Sequence, residues 1–246
     1  MVVSETNTRE YYRMIANMLN IVMCKREHDS HNIAYEIIGA QLTFTNDGII
    51  DGSSKNYIEN ELNWYKSQDL CIKGHAGIED NPVWQSCATK LGLVNSNYGW
   101  CILSEQNCNQ FEEACRSLAR DIDTKQAIMV YTRPNIHAEC ADNIHAHYDM
   151  ICTCYTNTVI RDDKLIHLVH MRSNDIWYGL RNDLAWQQEV QRMVLERIRE
   201  YSYSKFKDVK LGKIIWNADS LHLYARNVKK AAEECRKHGW LVPDNL

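Results

Sequence analysis

Apolar residues return every three or four positions over five stretches of the chain, the spacing that lines one face of an α-helix. Tyr11, Met14, Ile15, Met18, Leu19 and Val22 predict a helix over about residues 8–23, with Asn7 and Glu10 suited to an N-terminal cap. Ile58, Leu62 and Tyr65 predict one over residues 57–67. Phe111, Ala114, Cys115 and Leu118 line another, which Ser104 is placed to cap. Trp186, Val190, Met193, Val194 and Ile198 predict a long helix over residues 183–201 with Asp183 as its N-cap, and a last helix covers residues 225–237. Between them lie β-type runs at residues 128–132, 156–160, 165–171, 213–216 and 221–224. The turn Arg161-Asp162-Asp163-Lys164 joins two of these as a hairpin. Helices early and late with strands clustered in the middle predict an α+β layered fold. No repeat, low-complexity tract or linker interrupts the chain, so residues 1–246 read as a single domain.

Composition narrows the function. The 246 residues are 45% hydrophobic and 24% charged, enough to bury a core. No apolar run approaches the roughly 20 residues that a membrane-crossing helix needs. Only 3 Pro and 10 Gly exclude collagen-like and disordered classes. A net charge of −4 argues against binding along a nucleic-acid backbone, though not against a small basic pocket for one phosphate. The 10 Cys are scattered, and the first ten residues resemble neither a signal nor a transit segment; free thiols in a reducing cytoplasm are the expectation.

Three stretches carry chemistry. His137, Cys140, His145, His147, Cys152 and Cys154 crowd 18 residues, which raises zinc, and His137-Ala138-Glu139 copies half of a zinc-deaminase signature. The offsets are irregular and the second half, Pro-Cys-x-x-Cys, is absent. A polar loop followed by a strand with two buried thiols is the preferred reading, with no metal. Arg172-Ser173-Asn174-Asp175 follows an apolar strand, where a guanidinium fork and a hydroxyl suit a phosphate; a solvated strand end is the bland alternative. Residues 216–224 mix apolar and hydrogen-bonding side chains in strand alternation, and a satisfied core histidine would account for His222.

Taken together and in order, these segments resemble the thymidylate synthase family, and within it the phage-type deoxycytidylate (dCMP) hydroxymethylase branch. The similar stretches are residues 61–67 (Glu61-Leu62-Asn63-Trp64), 95–100 (Asn95 to Trp100), 128–134, 171–175, 179–187 and 214–224. The first fifty residues match weakly apart from 36–40, and the last twenty hardly at all. The resemblance implies a thymidylate synthase-type mixed sheet packed with helices, and a homodimer joined sheet to sheet. It implies a cytoplasmic enzyme of nucleotide biosynthesis and one-carbon metabolism, using 5,10-methylenetetrahydrofolate as co-substrate, with no metal, membrane or nucleic acid.

The family's nucleophilic Cys stands twenty residues before the Arg of its Arg-Ser-x-Asp motif, which selects Cys152. By the family mechanism its thiolate adds to C6 of the pyrimidine and makes C5 a nucleophile toward the one-carbon unit. Arg172 is expected to lower the thiol's pKa. Release of tetrahydrofolate leaves an exocyclic methylene, which a synthase reduces and a hydroxymethylase hydrates. Glu61 matches the family's carboxylate beside the reacting carbon. Uracil-using members read the base with an Asn; here that position is Asp183, eleven residues after Arg172, and a carboxyl suits the N3 acceptor and 4-amino donor of cytosine. The expected substrate is a cytidylate, dCMP favoured and CMP possible. Arg172 and Ser173 would bind the 5′-phosphate, Asn174 the ring edge, and His222 and Tyr224 the sugar 3′-hydroxyl. Arg133 and Asp175 are further substrate-binding candidates, and Trp84 and Asp175 would meet the folate. Where the family takes two Arg from the partner subunit, the chain has Lys125-Gln126, and Lys125 can supply one charge but no fork. Lys25 or Arg26 would replace an N-terminal phosphate-binding Arg. The competing readings are a methylating synthase acting on dUMP, a catalytically inactive nucleotide-binding member, and a zinc deaminase.

Overall fold

A computed structural model of the chain describes residues 1–20, 24–28, 32–141 and 149–244. His145 and His147 lie outside the described residues, as do the side chains of Lys25 and Arg26. Helix α1 (Glu5–Asn20) begins earlier than its apolar spacing predicts, because Ser4 and not Asn7 closes its first turn: the Asn7 amide donates to Ser4 Oγ at 3.0 Å. The Asn7 side chain instead ties the helix to the loop after β2, donating to the carbonyls of Thr45 and Gly48 at 3.0 and 2.8 Å. Strands β1 (Cys24–His28) and β2 (Asn32–Phe44) form an antiparallel pair.

Helices α2 (Lys55–Ser67), α3 (Pro82–Cys87) and α4 (Tyr98–Leu103) are capped by Ser54, Asn81 and Asn97. Helix α5 (Gln110–Arg120) is capped by Asn109; Ser104, the expected cap, instead closes α4 and opens a single 3-10 turn over Glu105–Asn107. Then follow β3 (Ile128–Val130), α6 (Ile136–Ala141), β4 (Thr153–Arg161) and β5 (Lys164–Met171). The β4–β5 turn places Asp162 and Asp163 at φ of 48° and 53°, the left-handed pair that matches strand twist in a two-residue hairpin. After β6 (Asn174–Asp175), helix α7 (Gly179–Tyr201) starts one turn before Asp183, which therefore lies inside the helix and does not cap it. Helix α8 (Tyr203–Phe206), strand β7 (Lys210–Tyr224) and helix α9 (Ala225–Lys237) complete the order.

The strands form one mixed sheet in the order β1-β2-β7-β5-β4-β3, with β6 pairing beside β7. β5 and β6 run parallel to β7, and the other pairs are antiparallel. The two predicted strands at 213–216 and 221–224 are one strand. Trp216 and Ala218, then Leu221 and Leu223, are all core residues, so the inward set changes parity between Ala218 and Leu221 while the backbone continues. That change occurs beside Gly39 of β2, whose φ of +67° disfavours any side chain. One core layer lies under α1, α9 and the start of α7, around Phe44, Trp177 and Trp216. The other joins α2, α4, α5 and the body of α7 around Trp64, Trp186 and Met129. The satisfied core histidine is His167, which bonds Thr158 Oγ1 at 2.8 Å and Gln187 Oε1 at 3.0 Å; burial pulls its pKa down to about 4.

Gly99 fixes how α4 meets α2. A Cβ at this position would sit 1.7 Å from the Tyr65 carbonyl oxygen, and backbone cannot move aside as a side chain can. Gly99→Ala is expected to cost at least ~3 kcal/mol, read as a fall in thermal midpoint, and to loosen the Asn97–Tyr98 corner of the site. An unchanged midpoint would contradict this packing.

Candidate active site

The ends of β4 and β5 place Cys152 and Arg172 side by side, since Thr153 and Met171 are register partners. The Arg172 amide donates to the Cys152 carbonyl at 2.9 Å. Its guanidinium donates from Nε to the Ile151 carbonyl at 3.0 Å and from Nη2 to the Met150 carbonyl, with Nη2 3.6 Å from Cys152 Sγ. The cation favours the thiolate as expected, but burial outweighs it, and Asp183 and Asp149 add repulsion: the thiol is pushed up to about 12. Ser173 follows, half-buried.

Asn174 links the sheet to α7. Trp216 Nε1 can only donate, and it lies 3.2 Å from Asn174 Oδ1, so the Asn174 amide nitrogen must face Asp183 Oδ2, 2.9 Å away. Asn174 therefore spends its amide on orienting Asp183. Burial, with Glu61 and Asp175 nearby, holds the Asp183 carboxyl well above the usual carboxylate range. Glu61, on α2, is buried and likewise pushed up to about 7 by desolvation. The Tyr57 hydroxyl donates to Glu61 Oε1 at 2.8 Å and accepts from Trp84 Nε1 at 2.9 Å. Trp84 stands half-exposed, edge-on to Trp64 with centroids 4.9 Å apart.

On the β6–β7 side, Asp175 is the register partner of His222. Burial moves both toward their neutral forms, raising Asp175 and lowering His222. His222 is thus half-buried against a carboxyl, unlike His167. Its ring meets Tyr224 edge-on at 5.0 Å, and the Arg226 guanidinium lies 4.3 Å over the Tyr224 ring.

Two candidates stand apart. The Arg133 guanidinium is engaged by Glu139, with Nε to Oε1 at 3.1 Å, and by Asn95 Oδ1 at 2.9 Å. Lys125 is exposed on the turn before edge strand β3, on the other side of β4 from Arg172. A cavity of about 340 Å³ near that turn, lined by Gln110, Arg120 and Gln126, contains no candidate catalytic residue. Among the described residues, no group of three or more His, Cys, Asp or Glu could hold a metal.

Three residues belong to the site that residue patterns did not single out. Tyr57 holds Glu61. Tyr98, at the start of α4, is buried and stacks on Tyr65 at 5.2 Å, and its phenol feels Asp183 and Cys152. Asp149 is buried and accepts from the Asn95 and Ser96 amides at 2.7 and 2.6 Å and from the Ser96 hydroxyl at 2.6 Å, anchoring the segment that leads into Cys152. The site thus brings a half-buried thiol, a cation and two carboxyls of raised pKa close together, the means for covalent addition to an electron-poor ring with proton transfer beside it.

The deoxycytidylate 5-hydroxymethyltransferases of Enterobacteria phages T4 and T2 are each 38% identical over 192 residues, 78% of this chain and 76% of theirs. The chain belongs to the deoxycytidylate 5-hydroxymethyltransferase family. The thymidylate synthase of Buchnera aphidicola is 19% identical over 191 residues, 76% of this chain and 66% of that protein. The solved structure of thermostable thymidylate synthase A from Bacillus subtilis superposes with a TM-score of 0.72 at 17% identity, covering 93% of this chain and 83% of that one, which gives this chain the thymidylate synthase fold. No family model matches the chain. No helix among the described residues is long and apolar enough to cross a membrane.

The raised pKa of Glu61 has a consequence for stability. The folded-state value of about 7 exceeds the ordinary 4.5, so the folded protein binds the proton more tightly. That stabilisation is complete below pH 4.5 and is lost as pH rises through 7, a change of about 3 kcal/mol. Glu61→Gln is therefore expected to be more stable than wild type at pH 8, by up to that amount, with the difference shrinking toward pH 5. Thermal unfolding at the two pH values reads this directly, and a difference independent of pH would contradict it.

Proposed function

We propose that the chain transfers a one-carbon unit from 5,10-methylenetetrahydrofolate to C5 of deoxycytidylate and hydrates it, giving 5-hydroxymethyl-dCMP and tetrahydrofolate. The observation that carries this reading is the Trp216–Asn174–Asp183 chain, which presents a carboxyl of raised pKa to the base. In its neutral form that carboxyl donates to N3 of cytosine and accepts from the 4-amino group; uracil offers the reverse pattern.

In this reading Cys152 supplies the nucleophile to C6 and Arg172 holds charge beside it and the 5′-phosphate, with Ser173. His222 and Tyr224 meet the sugar, and Asp175 lies between sugar and folate. Glu61 holds or moves the proton at the reacting carbon and orders the water. The half-exposed Trp84, backed by Trp64 and beside Glu61, is a suitable wall for a planar pterin. When bound, the folate supplies a one-carbon unit at the oxidation level of formaldehyde.

A homodimer completes the picture. Tyr155 and Val159 on β4, Ile166 and Leu168 on β5 and Ile215 on β7 share the sheet face opposite the core and are half-exposed in one chain. An apolar sheet face of this kind suits a second copy, and the exposed Lys125 would then be offered to a neighbouring site.

The test is the mass of nucleotide recovered after incubation with methylenetetrahydrofolate and, separately, dCMP, CMP and dUMP. Gain of CH2O by dCMP without dihydrofolate is expected. Gain of CH2 by dUMP with dihydrofolate would replace this reading with a methylating synthase.

A further inference from the structure

The Tyr57 hydroxyl is the middle of a three-residue relay that joins the aromatic wall to the buried carboxylate. Trp84 Nε1 has only a proton to give, so at 2.9 Å it fixes the phenol oxygen as acceptor. The phenol's own proton is then directed at Glu61 Oε1, 2.8 Å away. Tyr57 and Glu61 are four residues apart on α2 and so lie on one helix face, which makes the bond local and rigid. We propose that Tyr57 is a positioning residue of the hydroxymethyl transfer, one that orients the Glu61 carboxylate through this bond while Trp84 orients Tyr57. The inference rests on the reading that Glu61 serves the reacting carbon.

The charge on Glu61 follows from what surrounds it. Desolvation opposes ionisation, and the Tyr57 and Trp84 donors favour it. From α7, Asp183 faces the same space, and its carboxyl feels Glu61. From α2 itself, Tyr65 is the remaining titratable neighbour. Tyr57 and Trp84 are thus the donors that hold Glu61 ionisable near neutral pH. Tyr57 in turn stays a donor, because burial and Glu61 raise its own pKa and keep the phenol protonated.

The experiment compares kcat against pH, at saturating dCMP and methylenetetrahydrofolate, for wild type, Tyr57→Phe, Trp84→Phe and Glu61→Gln. Tyr57→Phe removes one oxygen and is expected to lower kcat ~10- to 100-fold while nucleotide KM stays within about twofold. The acidic limb of its profile is expected to move up by about one pH unit, a shift that a merely structural role would not produce. Trp84→Phe, which removes both the bond to the phenol and a donor near Glu61, is expected to move the limb the same way, and an unmoved limb in it overturns the relay if Tyr57→Phe does not fold. An unmoved limb in the folded variants overturns the positioning role. Wild-type turnover by Glu61→Gln would instead overturn the reading of Glu61 on which it rests.

Discussion

Replacing Asp183 with Asn is expected to turn the base preference from cytosine toward uracil. Burial and the nearby Glu61 and Asp175 hold the wild-type carboxyl well above the usual carboxylate range, which favours its protonated form. In that form it offers one O–H and one acceptor oxygen, the complement of N3 and the 4-amino group. Asn174 already donates to Oδ2, which keeps that oxygen an acceptor. The amide side chain of the Asp183→Asn variant would have an acceptor and two donors. It could answer N3–H and O4 of uracil, and would leave a buried pair unmatched with cytosine. Sites built to hydrogen-bond one partner reject its mismatched analogue by ~10⁴, so a fall in kcat/KM for dCMP on the order of 10³ is expected, with dUMP becoming the better substrate. Steady-state kinetics with both nucleotides checks this. Equal losses for the two would assign Asp183 to the chemistry and not to the choice of base.

Cys152→Ser is expected to abolish turnover, by ~10⁴-fold or more, while dCMP still binds and the fold is unchanged. A serine hydroxyl placed 3.6 Å from the Arg172 guanidinium remains an alcohol at any physiological pH, whereas a thiol with its pKa near 12 can ionise once the nucleotide and its neighbours rearrange the local charge. The neighbouring Cys154 is a built-in control: Cys154→Ser is expected to keep most of the activity. Its thiol is half-buried and lies two residues further along the chain, past the residue that starts β4. Measured turnover and equilibrium nucleotide binding for the two variants separate the roles. Activity retained by Cys152→Ser would move the nucleophile elsewhere.

Much of the architecture was legible where burial on one face imposed a period. Helix α9 spans the residues that its pattern predicts, and the β4–β5 hairpin turns where Asp162 and Asp163 accept left-handed backbone. What escaped had physical reasons. Strand β1 reads Cys-Lys-Arg-Glu-His and carries no apolar period, so its pairing with β2 is fixed by the sheet and not by its own residues. Helix α7 begins at Gly179 because tertiary packing, with Arg181 stacked 4.8 and 4.5 Å from the Tyr11 and Trp177 rings, carries helical backbone past the apparent cap. At the site, Cys152 was selected by the family resemblance, which sets the nucleophile twenty residues before Arg172, and the β4–β5 hairpin brings the two side by side. Asp149 is close to Cys152 along the chain, but its role was illegible because the Asn95 and Ser96 that hold it come from a segment distant in sequence, as does Tyr98. Tyr57 left one readable signal, its four-residue spacing from Glu61, but that spacing also suits ordinary helix packing.

The most direct test of the account is a covalent trap. A fluorine at C5 cannot leave as a cation, so 5-fluoro-dCMP with methylenetetrahydrofolate should stop the reaction after C5 has attacked, with the thiol still bonded to C6. Mass spectrometry of the digested protein is expected to find nucleotide and folate together on the peptide containing Cys152, and little or none with 5-fluoro-dUMP. An adduct on a different cysteine, none with the cytidylate, or a preference for the uridylate would contradict the assignment of Cys152 as nucleophile and Asp183 as the reader of the base.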